Sequence, residues 1–130
     1  MAFCLLTTLR EGDMKILLAD DERNFGIVFK SELEDEGYIV DRVADGVEAV
    51  LRFIDGYYDF LLFDIRMPRL DGINALRIIK KLDPEVPAIT FSGNAGTEEM
   101  QESVKAGAIK CFTKPFDMAR IKEDIKKYLL

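Results

Sequence analysis

The chain contains no histidine and no tryptophan among its 130 residues. The first absence is chemical: histidine-based metal sites, triads and phosphohistidine chemistry within this chain are excluded, so any histidine chemistry has to come from a partner. Cysteine is nearly as scarce. Cys4 and Cys111 stand far apart with no paired spacing, which argues against a disulfide framework and suits free thiols in a reducing cytoplasm. No apolar run approaches the length of a membrane span. Residues 3–9 are mildly apolar but lack the basic leading region and small-residue cleavage site of a signal peptide. Positive charge is in deficit: 18 Lys and Arg against 24 Asp and Glu leave a net charge of −6. That balance argues against adhesion to a nucleic-acid backbone or to anionic lipid. Neither a glycine-rich dinucleotide loop nor a Walker motif is present.

What remains suits a soluble single domain. Hydrophobic residues make up 48% of the chain and the mean hydropathy is +0.00, enough to bury a core without staples at this length. Residues Met1–Asp13 do not join the periodic pattern that begins at Met14. They read as an extension, flexible or loosely packed, ahead of a domain spanning 14–130.

From Met14 onward five short apolar runs alternate with five helical patterns. The predicted strands are Ile16–Ala19, Ile39–Val43, Phe60–Phe63, Ala88–Ser92 and Ile109–Thr113. Between them, Phe25, Val28, Phe29 and Leu33 keep helical spacing up to Gly37, and Asp45 with Glu48 forms a capping box for a second helix closed by Gly56. Asp71-Gly72 opens the third helix, the fourth starts near Thr97 and ends at Gly107, and Asp117 caps the last. This (βα)5 rhythm predicts an α/β fold, a doubly wound parallel sheet with helices on both faces, in three layers. The first and third strands are apolar throughout and belong in the middle. Asp41, Arg42 and Lys110 interrupt the second and fifth, which are therefore edges. Strand order 2-1-3-4-5 satisfies this with right-handed crossovers.

Four of the five strands carry a polar group at the C-terminal end: Asp20 and Asp21 after the first, Asp64 after the third, Ser92 at the fourth, Lys114 after the fifth. In an open parallel sheet these ends share one crevice. Two carboxylates about 4 Å apart repel by roughly 4 kcal/mol at an effective dielectric of about 20, and a third adds to that. One lysine cannot offset three such charges. An all-oxygen set with few protein ligands suits Mg²⁺, or Mn²⁺, beside one nucleophilic carboxylate. Singly, each of these residues would be a cap or a solvated charge; their coincidence at four strand ends favours a site.

In combination these motifs resemble a response-regulator receiver domain of two-component signalling, which has a flavodoxin-like fold. The resemblance spans Met14–Leu130 and rests on Asp20-Asp21, on Asp64 with Met67-Pro68 and Asp71-Gly72, on Ser92-Gly93, and on Lys114-Pro115-Phe116. It implies that Asp64 accepts a phosphoryl group from a partner histidine kinase or phosphotransfer protein. It further implies that Asp21, Asp64 and the backbone carbonyl of Arg66 ligate Mg²⁺, that Asp20 acts largely through water, and that Lys114 and Ser92 contact phosphoryl oxygens. Such a domain is a cytoplasmic signalling switch whose only reactions are its own phosphorylation and dephosphorylation. By the same resemblance, helix 4, strand 5 and helix 5 form the surface for a downstream protein or a homodimer, with no direct nucleic-acid or membrane partner.

The chain departs from the family at Cys111, three residues before the lysine, where receivers carry the aromatic part of the switch. Phe112 is one residue later, and a shift of one along a strand reverses the face. Arg66 and Asn94, two beyond Asp64 and Ser92, occupy positions that tune self-dephosphorylation in receivers. Two other readings stand beside this one: an interaction module that no longer uses phosphorylation, and a flavodoxin-like cofactor binder. The second conflicts with Asp20, Asp21 and Glu22, which repel a phosphate in the loop that would have to hold one.

Overall fold

Strands whose residues are apolar on both faces can be buried only in the middle of a covered sheet, and that is where they lie. The computed structural model describes residues 14–93 and 96–129. It contains β1 (Lys15–Ala19), α1 (Arg23–Asp35), β2 (Ile39–Val43), α2 (Gly46–Asp55), β3 (Phe60–Asp64), α3 (Gly72–Leu82), β4 (Ala88–Ser92), α4 (Thr97–Lys105), β5 (Lys110–Thr113) and α5 (Met118–Leu129). Every pairing is parallel and the order is β2-β1-β3-β4-β5. Every residue of β3 and β4 is buried, whereas β5 is exposed at both ends. Among the described residues no helix is long and apolar enough to cross a membrane. The expectations for Met1–Asp13 and for Asn94 fall outside the described residues.

The elements follow the sequence signals with small shifts. β1 begins at Lys15, one residue before its apolar run, and β5 at Lys110, one residue after. β3 continues through Asp64, because a polar side chain does not end a backbone ladder: the Ile65 N–H still donates to the Phe91 carbonyl at 2.9 Å. At α2, Asp45 Oδ1 accepts from the Glu48 N–H at 2.8 Å, and Glu48 Oε1 accepts from the Ala44 N–H at 3.2 Å. The reciprocal bond of the capping box thus reaches one residue beyond the cap. Asp71 caps α3 through the Asn74 N–H at 2.8 Å. The turns after α1 and α4 place Gly37 and Gly107 at φ of 98° and 120°, backbone that other residues rarely adopt.

Alternation along the strands divides the core in two. Leu17, Ala19, Leu61, Phe63 and Ala88 pack with Ala49 of α2 and Ala75, Leu76 and Ile79 of α3. Ile16, Leu18, Phe60, Leu62, Ile89 and Phe91 pack with Phe29 and Leu33 of α1 and Ile121 and Ile125 of α5. The hydroxyl of Thr90 bonds that of Ser103 on α4, which ties α4 to β4. Register puts Cys111 opposite Thr90 and Phe112 opposite Phe91. Phe112 accordingly faces the α1/α5 layer, 5.9 Å from the Phe116 ring.

Candidate functional site

The C-terminal strand edge gathers Asp20, Asp21, Asp64 and Lys114, as the sequence leads one to expect. One oxygen from each of Asp20, Asp21 and Asp64 lies within 4.8 Å of the others. Asp20 and Asp64 are buried and Asp21 is exposed, so the cluster opens to solvent on one side.

Local structure sets each carboxylate. The Asp20 N–H extends the β-ladder to the Val43 carbonyl at 3.0 Å, and its Oδ1 accepts from the Glu22 N–H at 2.8 Å. Its Oδ2 is buried without a hydrogen-bond partner. Asp64 Oδ1 accepts from the Arg66 N–H at 3.1 Å, which leaves Oδ2 for the lysine. The chain then turns sharply enough that the Gly72 N–H returns to the Ile65 carbonyl at 2.8 Å. A Cβ at Gly72 would overlap the Asp64 carbonyl oxygen.

Lys114 Nζ lies 3.1 Å from Asp64 Oδ2, 3.4 Å from Glu22 Oε1 and 3.8 Å from Asp20 Oδ2. It also stands 4.1 Å from the ring centroid of Phe25 and 5.3 Å from that of Phe91, a favourable seat for a cation. Its backbone N–H donates to the Ser92 carbonyl at 2.8 Å, tying the ends of β4 and β5, and the Lys114–Pro115 peptide is cis. Ser92 is fully buried at the end of β4. Burial opposes the ammonium, but the bonded Asp64 carboxylate, with Asp20 and Glu22, holds Lys114 above its ordinary pKa.

Burial pushes the Asp20 carboxyl up to about 6 against the pull of the Glu22 N–H and Lys114, with Asp64 adding to the rise. Burial likewise raises Asp64, although its bond to Lys114 works the other way. A buried carboxylate oxygen with no donor, beside two further carboxylates, is the arrangement a small divalent cation relieves. The donor set therefore fits Mg²⁺.

Cys111 does not join this cluster. Its half-buried thiol lies beside Thr90 and Ser103, between β4, β5 and α4, and burial raises its pKa. Arg66 sends its guanidinium away from Asp64 to Glu99 on α4, 2.9 Å distant. Sequence reasoning missed three contributors: Glu22 as a partner of Lys114, Phe25 beneath the ammonium, and Arg42, whose Nη2 donates to the Asp20 carbonyl at 2.7 Å. The one available signal was Arg42 itself, a charge in the middle of a strand.

A doubly wound sheet with an acidic cluster and a lysine at its C-terminal edge defines a signalling domain of the receiver class. The chain belongs to the response regulator receiver domain family, whose model matches residues 16–126. It is 33% identical over 115 residues to sporulation initiation phosphotransferase F of Bacillus subtilis, covering 88% of this chain and 93% of that protein. It is 32% identical over 118 residues to the transcriptional regulatory protein ZraR of Salmonella typhimurium, covering 91% of this chain but only 27% of that longer protein. Among solved structures, it is similar to the receiver domain of sensor histidine kinase PA1611 from Pseudomonas aeruginosa, with a magnesium ion in its active-site cleft. There the TM-score is 0.82 at 32% identity, over 90% of this chain and 98% of that one. The domain is thus a two-component signalling switch.

Proposed function

We propose that Asp64 is the phosphoacceptor and that Asp20, Asp21, Asp64 and the Arg66 carbonyl hold Mg²⁺, or Mn²⁺ in its place, Asp20 largely through water. When bound, the cation neutralises the acidic cluster and the charge that develops on the transferred phosphoryl oxygens. The observation that carries this reading is the buried Oδ2 of Asp20, which accepts no hydrogen bond, beside Asp21 and Asp64.

In the transfer itself a carboxylate oxygen of Asp64 attacks phosphorus. The new P–O bond forms as the P–N bond of a phosphohistidine breaks, and the imidazole nitrogen leaves with the electron pair. The histidine belongs to a kinase or phosphotransfer protein, since this chain has none. Lys114 moves little to meet the phosphoryl group: its Nζ already stands 3.1 Å from Asp64 Oδ2, and a phosphoryl oxygen takes over that contact. Ser92, at the adjoining strand end, donates to another oxygen after transfer. Hydrolysis returns the switch to its resting state, and Arg66 and Asn94 set its rate. The output surface is α4, β5 and α5, where Met100, Val104, Lys110 and Cys111 line one groove that receives a downstream protein or a second copy.

Intact mass after incubation with acetyl phosphate and Mg²⁺ tests this reading. Wild type is expected to gain one phosphoryl group, and Asp64→Ala or omission of Mg²⁺ is expected to abolish it. No adduct in wild type, together with no response to beryllofluoride, would favour the alternative of a receiver fold acting as an interaction module.

A further inference from the structure

We infer that Arg42, on the edge strand β2, is a positioning residue for the acidic pair Asp20-Asp21, so that cation affinity depends on a side chain outside the cluster. The inference rests on the reading that this cluster holds a divalent cation.

The geometry is an interlock of three elements. In the β1–β2 ladder Leu18 pairs with Arg42 and Ala19 with Val43, which brings Arg42 alongside the point where β1 ends. Its Nη2 donates to the Asp20 carbonyl at 2.7 Å, while the Asp20 N–H donates to the Val43 carbonyl at 3.0 Å. Asp20 is thereby held on the strand side at both of its peptides, the preceding one by a backbone bond and the Asp20–Asp21 one by a short charge-assisted bond. On the helix side, Asp20 Oδ1 accepts from the Glu22 N–H. These bonds fix the direction in which the chain leaves β1, and with it the relative placement of the two carboxylates.

Gly26 completes the arrangement from α1. A Cβ at this position would overlap the Arg42 guanidinium at Nε. Glycine is among the poorest residues for a helix interior, yet here its lack of a side chain lets the guanidinium pass between α1 and β2 to the Asp20 carbonyl. The Nε is buried and has no hydrogen-bond partner. The side chain thus reaches this backbone carbonyl while its Nε–H goes without an acceptor.

Charge and position make opposite demands, which renders the role testable. As a cation near three carboxylates, Arg42 repels a divalent ion, and its removal would tighten binding. As the bond that orients Asp20-Asp21, it favours the ion, and its removal weakens binding. The bond is short and its donor charged, so position is expected to dominate.

Mg²⁺ titration by calorimetry, in wild type, Arg42→Met, Arg42→Lys and Gly26→Ala, decides between them. Arg42→Met is expected to raise the Kd about tenfold, with Arg42→Lys recovering part of the loss. Gly26→Ala keeps the arginine but displaces it, and is expected to weaken binding as Arg42→Met does. At saturating Mg²⁺, phosphorylation by acetyl phosphate in Arg42→Met is expected to return to within about twofold of wild type. A merely structural role would lower the melting temperature in EDTA and leave the Kd unchanged. An unchanged or tighter Kd in both Arg42→Met and Gly26→Ala overturns the inference while leaving the cation site intact. Failure of wild type itself to take up Mg²⁺ overturns the site reading and the inference with it.

Discussion

The two oxygens of Asp20 are treated differently: Oδ1 is bonded to the Glu22 N–H, and Oδ2 is buried with no donor. That asymmetry has a pH signature. The carboxyl is raised from 3.8 to about 6 in the folded chain without a cation, so between those values the folded state keeps a proton that the unfolded state has released. Stability from this group is complete below pH 4 and is lost as pH rises through about 6, a loss on the order of 3 kcal/mol. Asp64 is shifted in the same direction. In EDTA, wild type is therefore expected to melt progressively lower than Asp20→Asn as pH rises from 4 to 7, and Mg²⁺ to reverse the order at pH 7. A difference between the two proteins that does not change with pH would contradict this. The sequence made Asp20, Asp21, Asp64 and Lys114 legible as a group, because strand ends in a parallel sheet converge whatever the details of packing. The Arg42–Asp20 and Glu22–Lys114 contacts were not legible. They depend on register across β1 and β2 and on the reach of side chains from separate elements, which no local pattern encodes.

Among the elements, the β3–α3 turn lies closest against the backbone of Asp64. Gly72 lets the start of α3 lie against the Asp64 carbonyl, and its N–H closes the turn on Ile65 at 2.8 Å. Adding one methyl group here forces backbone away from backbone, a displacement that no rotamer can absorb. Gly72→Ala is expected to destabilise the fold by about 1–3 kcal/mol and to slow phosphorylation at saturating Mg²⁺. Urea unfolding and intact-mass kinetics check the two effects, and full activity at reduced stability would show that the turn does not position Asp64. Sequence reasoning found Asp71-Gly72 as a cap and flexible residue but not as a point of close approach. The requirement comes from what lies opposite, and strand and helix signals say nothing of that. The same limit explains Cys111. Period-two alternation sets Phe112 on the other face, as register shows, but not that Cys111 would lie beside Thr90 and Ser103.

At the scale of the molecule, the sheet separates, among the described residues, two apolar clusters that share no residue, one against α2 and α3 and the other against α1 and α5. Ile79 and Ile125 lie in different clusters, fully buried. Ile79→Val and Ile125→Val are each expected to cost about 1 kcal/mol, and the double variant to equal their sum within about 0.5 kcal/mol. Chemical denaturation of the four proteins measures this; a discrepancy above about 1 kcal/mol would show that strain crosses the sheet. The site sits on the rim of that partition and draws on both compartments: Phe25 and Phe91 beneath Lys114 come from one, and the α3 turn at Gly72 from the other. Sequence drift can therefore proceed in either half of the interior without renegotiating the opposite half, provided the rim is left alone. A lineage of such chains would be expected to diversify as two loosely linked mosaics joined along a single invariant seam.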